Sequence, residues 1–247
     1  MKVTLITICF NSERTIARCV ESVLSQTRLP DEYLFVDGGS TDGTLELLDE
    51  RVKRLLAVGV SSRVLHQERH PGEAGIPSAW NQGLDAATGD VIALLNSDDW
   101  YENNALAYVM EQFEADRNME ILAGPVQMVT PTGEKERRLY PQCLWLSQIL
   151  MPLKHPACFI SRSLYARIGK YDTSFKISSD YEFVWRCRKA LADIHFFETC
   201  LVNMEAGGLA NANRAMARNE TLRIARMYAP YSPLPWLAWL LRFLSGR

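Results

Sequence analysis

The chain has 247 residues, 47% of them apolar and 23% charged, with a formal net charge of −2. These values suit one large α/β domain, or one domain with an elaborated C-terminal part, able to bury its own core without disulfides or structural metal. A charge balance this close to neutral leaves no basic surface for broad nucleic-acid binding. Cys9, Cys19, Cys143, Cys158, Cys187 and Cys200 are scattered without a CxxC pair, mostly among apolar neighbours, and read as reduced thiols.

Met1-Lys2 leads directly into an apolar strand over 3–10, closed by the polar run Asn11–Arg14. No secretory leader is read there, and a cytoplasmic setting is expected. Asn11 or Ser12 caps a helix with Ile16, Cys19, Val20, Val23 and Leu24 at helical spacing. A strand over 33–37 follows, then a glycine-rich turn and a helix marked by Leu45, Leu48, Val52, Leu55 and Leu56. A strand near Arg63–His66, a helix over 76–87 and a strand over 90–95 continue the alternation. Strand and helix thus alternate four times in about a hundred residues, which predicts a parallel sheet with helices on both sides. Beyond it come a helix over 103–115, a strand over Glu120–Val129 and a turn at Pro131–Gly133. The charged run Glu134–Arg138 reads as a solvated hairpin or loop, Ala157–Ser161 as a strand, and Asp180–Leu191 as a helix with Phe183, Val184, Cys187 and Leu191 inward.

The chain divides into a domain over 1–205, with halves 1–100 and 101–205, and a C-terminal extension over 206–247. The tail Pro233–Leu244 is apolar and Trp-rich but too short to span a bilayer. It reads either as a helix docked on the domain or as a peripheral membrane contact with Trp at headgroup level.

Strands 1, 2 and 4 end at Asn11, Asp37 and Asn96–Asp99. A parallel sheet brings these ends to one edge, where ligands bind in open α/β folds. A lone acid there serves equally as a helix cap or Asx-turn, the reading favoured for Asp42. Adjacent Asp98 and Asp99 fit that reading less well, because like charges repel and a helix needs one cap. A bound cation would remove the conflict, and oxygen-only ligands point to Mn²⁺ or Mg²⁺. Asp180 follows Ser178-Ser179 and is either an N-cap or a base. Arg186 lies i,i+4 from Glu182, so it forms an intrahelical pair or contacts phosphate. His155 is structural or faces the acceptor or phosphate. Trp100, Tyr101 and Trp145 either pack in the core or stack on sugars. A dinucleotide fingerprint and a P-loop are absent, as is the glycine-rich phosphate loop a nucleotidyltransferase needs after strand 1.

Thr-Ile-Cys-Phe-Asn (7–11), Val-Asp-Gly-Gly-Ser-Thr-Asp-Gly-Thr (36–44), the segment 75–90, Leu-Asn-Ser-Asp-Asp (95–99), Gly-Lys-Tyr-Asp (169–172) and Ser-Asp-Tyr-Glu-Phe-Val-Trp-Arg (179–186) occur in one order. Together they resemble the family 2 glycosyltransferases of GT-A fold, over roughly residues 1–205, and most of all those of bacterial exopolysaccharide, capsule or lipopolysaccharide assembly. The resemblance implies a metal-dependent inverting transferase with a nucleotide-diphosphate sugar donor and a saccharide or lipid-linked saccharide acceptor, working in the cytoplasm or at the inner face of the membrane. It implies that Thr7, Phe10, Asn11, Asp37, Asn96, Ser97 and Asp98 form the nucleotide site. Asp98 and Asp99 would hold the cation, and Asp180 would act as base. Asn96 and Ser179 stand where the family has acids. A catalytically impaired sugar-nucleotide binder is therefore the alternative, with a nucleotidyltransferase behind it.

Overall fold

The computed structural model describes residues 1–68, 72–73, 75–207 and 213–244. The first hundred residues form β1 (Val3–Cys9), α1 (Ile16–Leu24), β2 (Glu32–Asp37), α2 (Thr44–Ala57), β3 (Ser61–His66), α3 (Gly75–Ala86), β4 (Val91–Leu94) and β5 (Trp100–Tyr101). The second part contains α4 (Ala105–Ala115), β6 (Ile121–Ala123), β7 (Val126–Val129), β8 (Lys135–Leu139), β9 (Cys158–Ser161), α5 (Arg162–Ile168), α6 (Ser179–Lys189), β10 (Ile194–Phe196) and β11 (Val202–Glu205). Two helices follow, α7 (Arg214–Tyr228) and α8 (Leu234–Leu244).

A seven-stranded sheet runs in the order β10-β6-β9-β4-β1-β2-β3. Strands β4, β1, β2 and β3 are mutually parallel, whereas β9 is antiparallel to both neighbours. The parallel strands are covered on both faces, which is why they read as continuous apolar runs. Val3, Leu5, Tyr33, Phe35, Val91 and Ala93 point to the side of α1, α2 and α4. Ile6, Leu34, Val36, Ile92 and Leu94 point to the side of α3, α5 and α6. α3 lies close over β1 at Gly83, where a Cβ would come within 2.5 Å of Ile6 Cγ2.

A second sheet, β5-β11-β7-β8, was not anticipated from the sequence. The apolar run 120–129 is two strands, because Pro125 lacks the N–H a ladder needs and Gly124 lies under the Phe197 ring. β6 stays in the large sheet and β7 enters the small one. The charged run at 135–139 pairs antiparallel with β7, giving the hairpin alternative. Two further expectations change. A turn on the Ser12 carbonyl, which accepts from Thr15 and Ile16 N–H, precedes α1, so neither Asn11 nor Ser12 caps it. Leu191 lies past the end of α6 in the left-handed region and is 89% exposed, not inward. All six cysteines are free.

Candidate active site

β4 leaves the large sheet at Leu94, and β5 enters the small one at Trp100. The acidic loop 95–99 therefore spans the seam between the sheets. A cleft of about 800 Å³ opens beside it. Along the strand order β2, β1, β4, its lining includes Gly38, Phe10, then Asn96, Ser97 and Asp98. Lys154 and His155, just before β9, and Asp180 at the start of α6 continue it. Gln67 and Ile76 from the stretch 66–78, and Arg137 and Met151 from the stretch 130–156, line it too. Positions 69–71 and 74 of the first stretch lie outside the described residues.

Asp98 is half-buried, and its carboxyl titrates above its ordinary value. Burial is the main cause, with Glu205 adding to the shift and Arg18 and Arg14 opposing it. Asp99 is set deeper in the same wall. It is 1% exposed, accepts from Asn96 Nδ2 at 3.0 Å and from Glu205 N–H at 3.2 Å, and is raised well above its ordinary value, first by burial and then by Asp98. Asp99 thus braces the loop from within the cleft wall. The cleft wall offers a cation the carboxylate of half-exposed Asp98, with those of Asp99 and Glu205 beside it already engaged by hydrogen bonds and ion pairs. This set fits Mg²⁺ or Mn²⁺ arriving with phosphate oxygens, since such ions commonly take one or two carboxylates and fill the shell with phosphate and water. Elsewhere, at the β10 edge of the large sheet, Asp116, Asp193 and His195 bring three ligand atoms together.

Glu205, which ends β11, was missed by the sequence reading. Arg14 and Arg18 both donate to its carboxylate, Arg18 at 2.6 Å. Burial pushes Glu205 up, but the two guanidiniums outweigh it and hold the carboxyl below the ordinary range. Arg18 also donates to the Asp98 carbonyl at 2.9 Å and lies 3.8 Å from the centre of the Trp100 ring. One arginine thereby ties α1, the acidic loop and the second sheet together. The i,i+4 spacing of Arg14 and Arg18 was the available signal; their partner, nearly two hundred residues away, left none.

His155 Nε2 lies 3.2 Å from Asn96 Oδ1, and its Nδ1 lies 3.9 Å from Asp180 Oδ2. Burial, with the Lys154 charge beside it, lowers His155 to about 4, so the ring is neutral at physiological pH. Asn96 gives its N–H to Asp99, which leaves Oδ1 as the acceptor for His155 Nε2–H. The unprotonated Nδ1 then faces Asp180. Asp180 accepts Tyr181 N–H at 2.7 Å, yet burial pushes its carboxyl up to about 6, against the pull of that bond and of Lys154. Trp80 packs on the other side of His155, with ring centroids 5.0 Å apart.

The remaining expected residues sit differently. Asp37 is 1% exposed, with its carboxylate accepting from Ser40 Oγ at 2.6 Å and from Gly39 and Ser40 N–H. Gly39, at φ 86°, makes that loop possible. Asn11 Oδ1 accepts from Thr41 N–H at 2.9 Å and pins the same loop. Thr7 is fully buried, 2.9 Å from the Tyr33 hydroxyl. None of these three is among the residues that line the cleft; Phe10, 60% exposed, is. Arg186 is not brought to the cleft. Its Nε lies 2.9 Å from both Glu182 oxygens, and its two Nη atoms donate to the Ile168, Gly169 and Lys170 carbonyls. Trp100 and Tyr101 belong to β5, and Trp145 is exposed at the surface.

The model of the family described as Glycosyl transferase family 2 matches residues 4–171. A PGL/p-HBAD biosynthesis glycosyltransferase of Mycobacterium bovis (strain BCG / Pasteur 1173P2) is 28% identical over 207 residues, covering 81% of this chain and 76% of that protein. The putative glycosyltransferase EpsH of Bacillus subtilis (strain 168) is 34% identical over 100 residues, 40% of this chain and 27% of its own. The crystal structure of S. aureus TarS 1-349 in complex with UDP-GlcNAc matches with a TM-score of 0.69 at 18% identity, covering 93% of this chain and 66% of that one. Against the longer S. aureus TarS chain the TM-score is 0.70 at 18% identity, with 99% of this chain covered but 43% of that one.

Proposed function

The chain belongs to glycosyl transferase family 2 and has the GT-A fold its motifs imply, and from that premise we propose that it transfers a sugar from a nucleotide-diphosphate donor to a hydroxyl acceptor with inversion. The observation that carries this reading is the shared cleft: Asp98 and Asp180 both line it, together with Asn96 and His155. The nucleoside lies toward Phe10 and Gly38, the diphosphate at Asp98, and the sugar between Asp98 and Asp180. Asp180 takes the proton of the acceptor hydroxyl as its oxygen bonds to C1 of the sugar. The bond from C1 to phosphate breaks on the opposite side, and the nucleoside diphosphate leaves. Mn²⁺ or Mg²⁺, held by Asp98 with phosphate oxygens, would neutralise the charge gathering on that leaving group.

Two features support Asp180 as base. It opens a helix, whose N-terminus favours an anion, and its raised proton affinity suits a group that must accept a proton near neutrality. The name of the mycobacterial relative, a biosynthesis glycosyltransferase, supports a biosynthetic role. The test is to incubate the protein with a panel of nucleotide sugars and Mn²⁺, and then with EDTA, and to measure released nucleoside diphosphate. Release with one donor that EDTA abolishes supports the reading. Tight donor binding without release would instead favour the impaired binder suggested by Asn96 and Ser179.

A further inference from the structure

α8 meets the rest of the chain along one stripe. Pro235 and Ala238 are buried there, Trp239 Nε1 donates to Asn219 Oδ1 at 3.2 Å, and Arg242 donates to the Ile149 carbonyl. Trp236, Leu237, Leu240, Leu241, Phe243 and Leu244 occupy the opposite arc and are 45–71% exposed, with no polar side chain among them. The helix is therefore docked on the domain, as one of the two alternatives for the tail had it, and its outer face is bare.

The charge around this face is one-sided. Positions 214–244 hold five arginines and one acid, in a chain of net charge −2. The acid, Glu220, is turned inward and accepts from Lys176, Ile177 and Ser178 N–H at 2.8–2.9 Å. Arg223 and Arg226 are exposed and, with Trp236 and Trp239, line an open groove between α7 and α8. Arg226 lies 5.1 Å from the Trp236 ring and Arg218 5.0 Å from the Phe243 ring. Among the described residues, Arg218, Arg223 and Arg226 have no carboxylate partner.

We propose that the outer face of α8 and the arginines of α7 form a peripheral anchor for an anionic lipid bilayer. Leu237, Leu240, Leu241, Phe243 and Leu244 enter the acyl boundary, Trp236 lies at headgroup level, and Arg223 and Arg226 meet lipid phosphates. No helix among the described residues is long and apolar enough to cross a membrane, so α8 lies in the interface plane. A second copy is the less suitable occupant, because a two-fold contact sets each arginine row against its like. Anchoring of this kind does not depend on the donor or acceptor assigned above.

The test is sedimentation of the full chain with phosphatidylcholine vesicles, with and without phosphatidylglycerol, while recording Trp emission. Binding to the anionic vesicles alone, weakened by salt and accompanied by a blue shift, is expected. The pair Leu237→Glu and Leu241→Glu, and separately the pair Arg223→Glu and Arg226→Glu, should each weaken binding by roughly tenfold or more at unchanged unfolding temperature. Three results would overturn the anchor: no binding to anionic vesicles at low salt, binding indifferent to the outer-face pair, or a stable dimer that the outer-face pair dissolves.

Discussion

Asp180 accepts a backbone N–H at the first turn of α6, yet its carboxyl is pushed up to about 6 by burial. A base works when ionised, so kcat/KM should be flat above pH about 6 and fall toward tenfold per unit below it. Asp180→Asn should lower kcat by roughly 10²–10⁴ with donor affinity retained. The same substitution should also stabilise the fold. A carboxylate whose folded pKa lies above its unfolded value of about 4 opposes folding once ionised, so neutral Asn should gain about 2 kcal/mol above pH 6, and nothing below pH 4, in urea unfolding. An N-cap role alone would predict no change, since Asn caps a helix as well as Asp. At this scale Asp98 and Asp180 could be found from motif positions. The inward turn of Asp99 and the engagement of Arg186 by three carbonyls could not, because side-chain direction depends on partners remote in sequence.

α6 is aimed by neighbours on both sides. Glu220 of α7 accepts three N–H groups from the segment that leads into Asp180, and Trp185 stacks on Tyr228 with centroids 5.6 Å apart. Glu220→Ala should cost roughly tenfold in kcat through misplacement of the base, with nucleotide Kd unchanged in calorimetry. On the other side, Asn81 of α3 holds Tyr171 through both backbone groups, at 2.8 and 2.9 Å. Asn81→Ala strands both and should cost about 1–3 kcal/mol in denaturant unfolding. Elements over 1–100 were legible because their apolar periods are long and regular. The second sheet was not, since its strands have two to five residues and one begins only where Pro125 ends another.

Across the whole molecule, the parallel strand order puts the ends of β1, β2 and β4 along one edge, and the second sheet closes that edge into a cleft. Topology could be argued from alternation alone; closure depends on the pairing of β11 with β5 and on Glu205 meeting Arg14 and Arg18, which local sequence does not encode. The central claim is that Asp98 and Asp180 act on one substrate from the two ends of its breaking and forming bonds. Calorimetric titration of nucleoside diphosphate with Mn²⁺, paired with turnover in Asp98→Ala and Asp180→Asn, tests it most directly. The account predicts a split: Asp98→Ala loses the Mn²⁺-dependent affinity, while Asp180→Asn keeps the affinity and loses turnover. Wild-type turnover in Asp180→Asn, or unchanged Mn²⁺-dependent binding in Asp98→Ala, would contradict it.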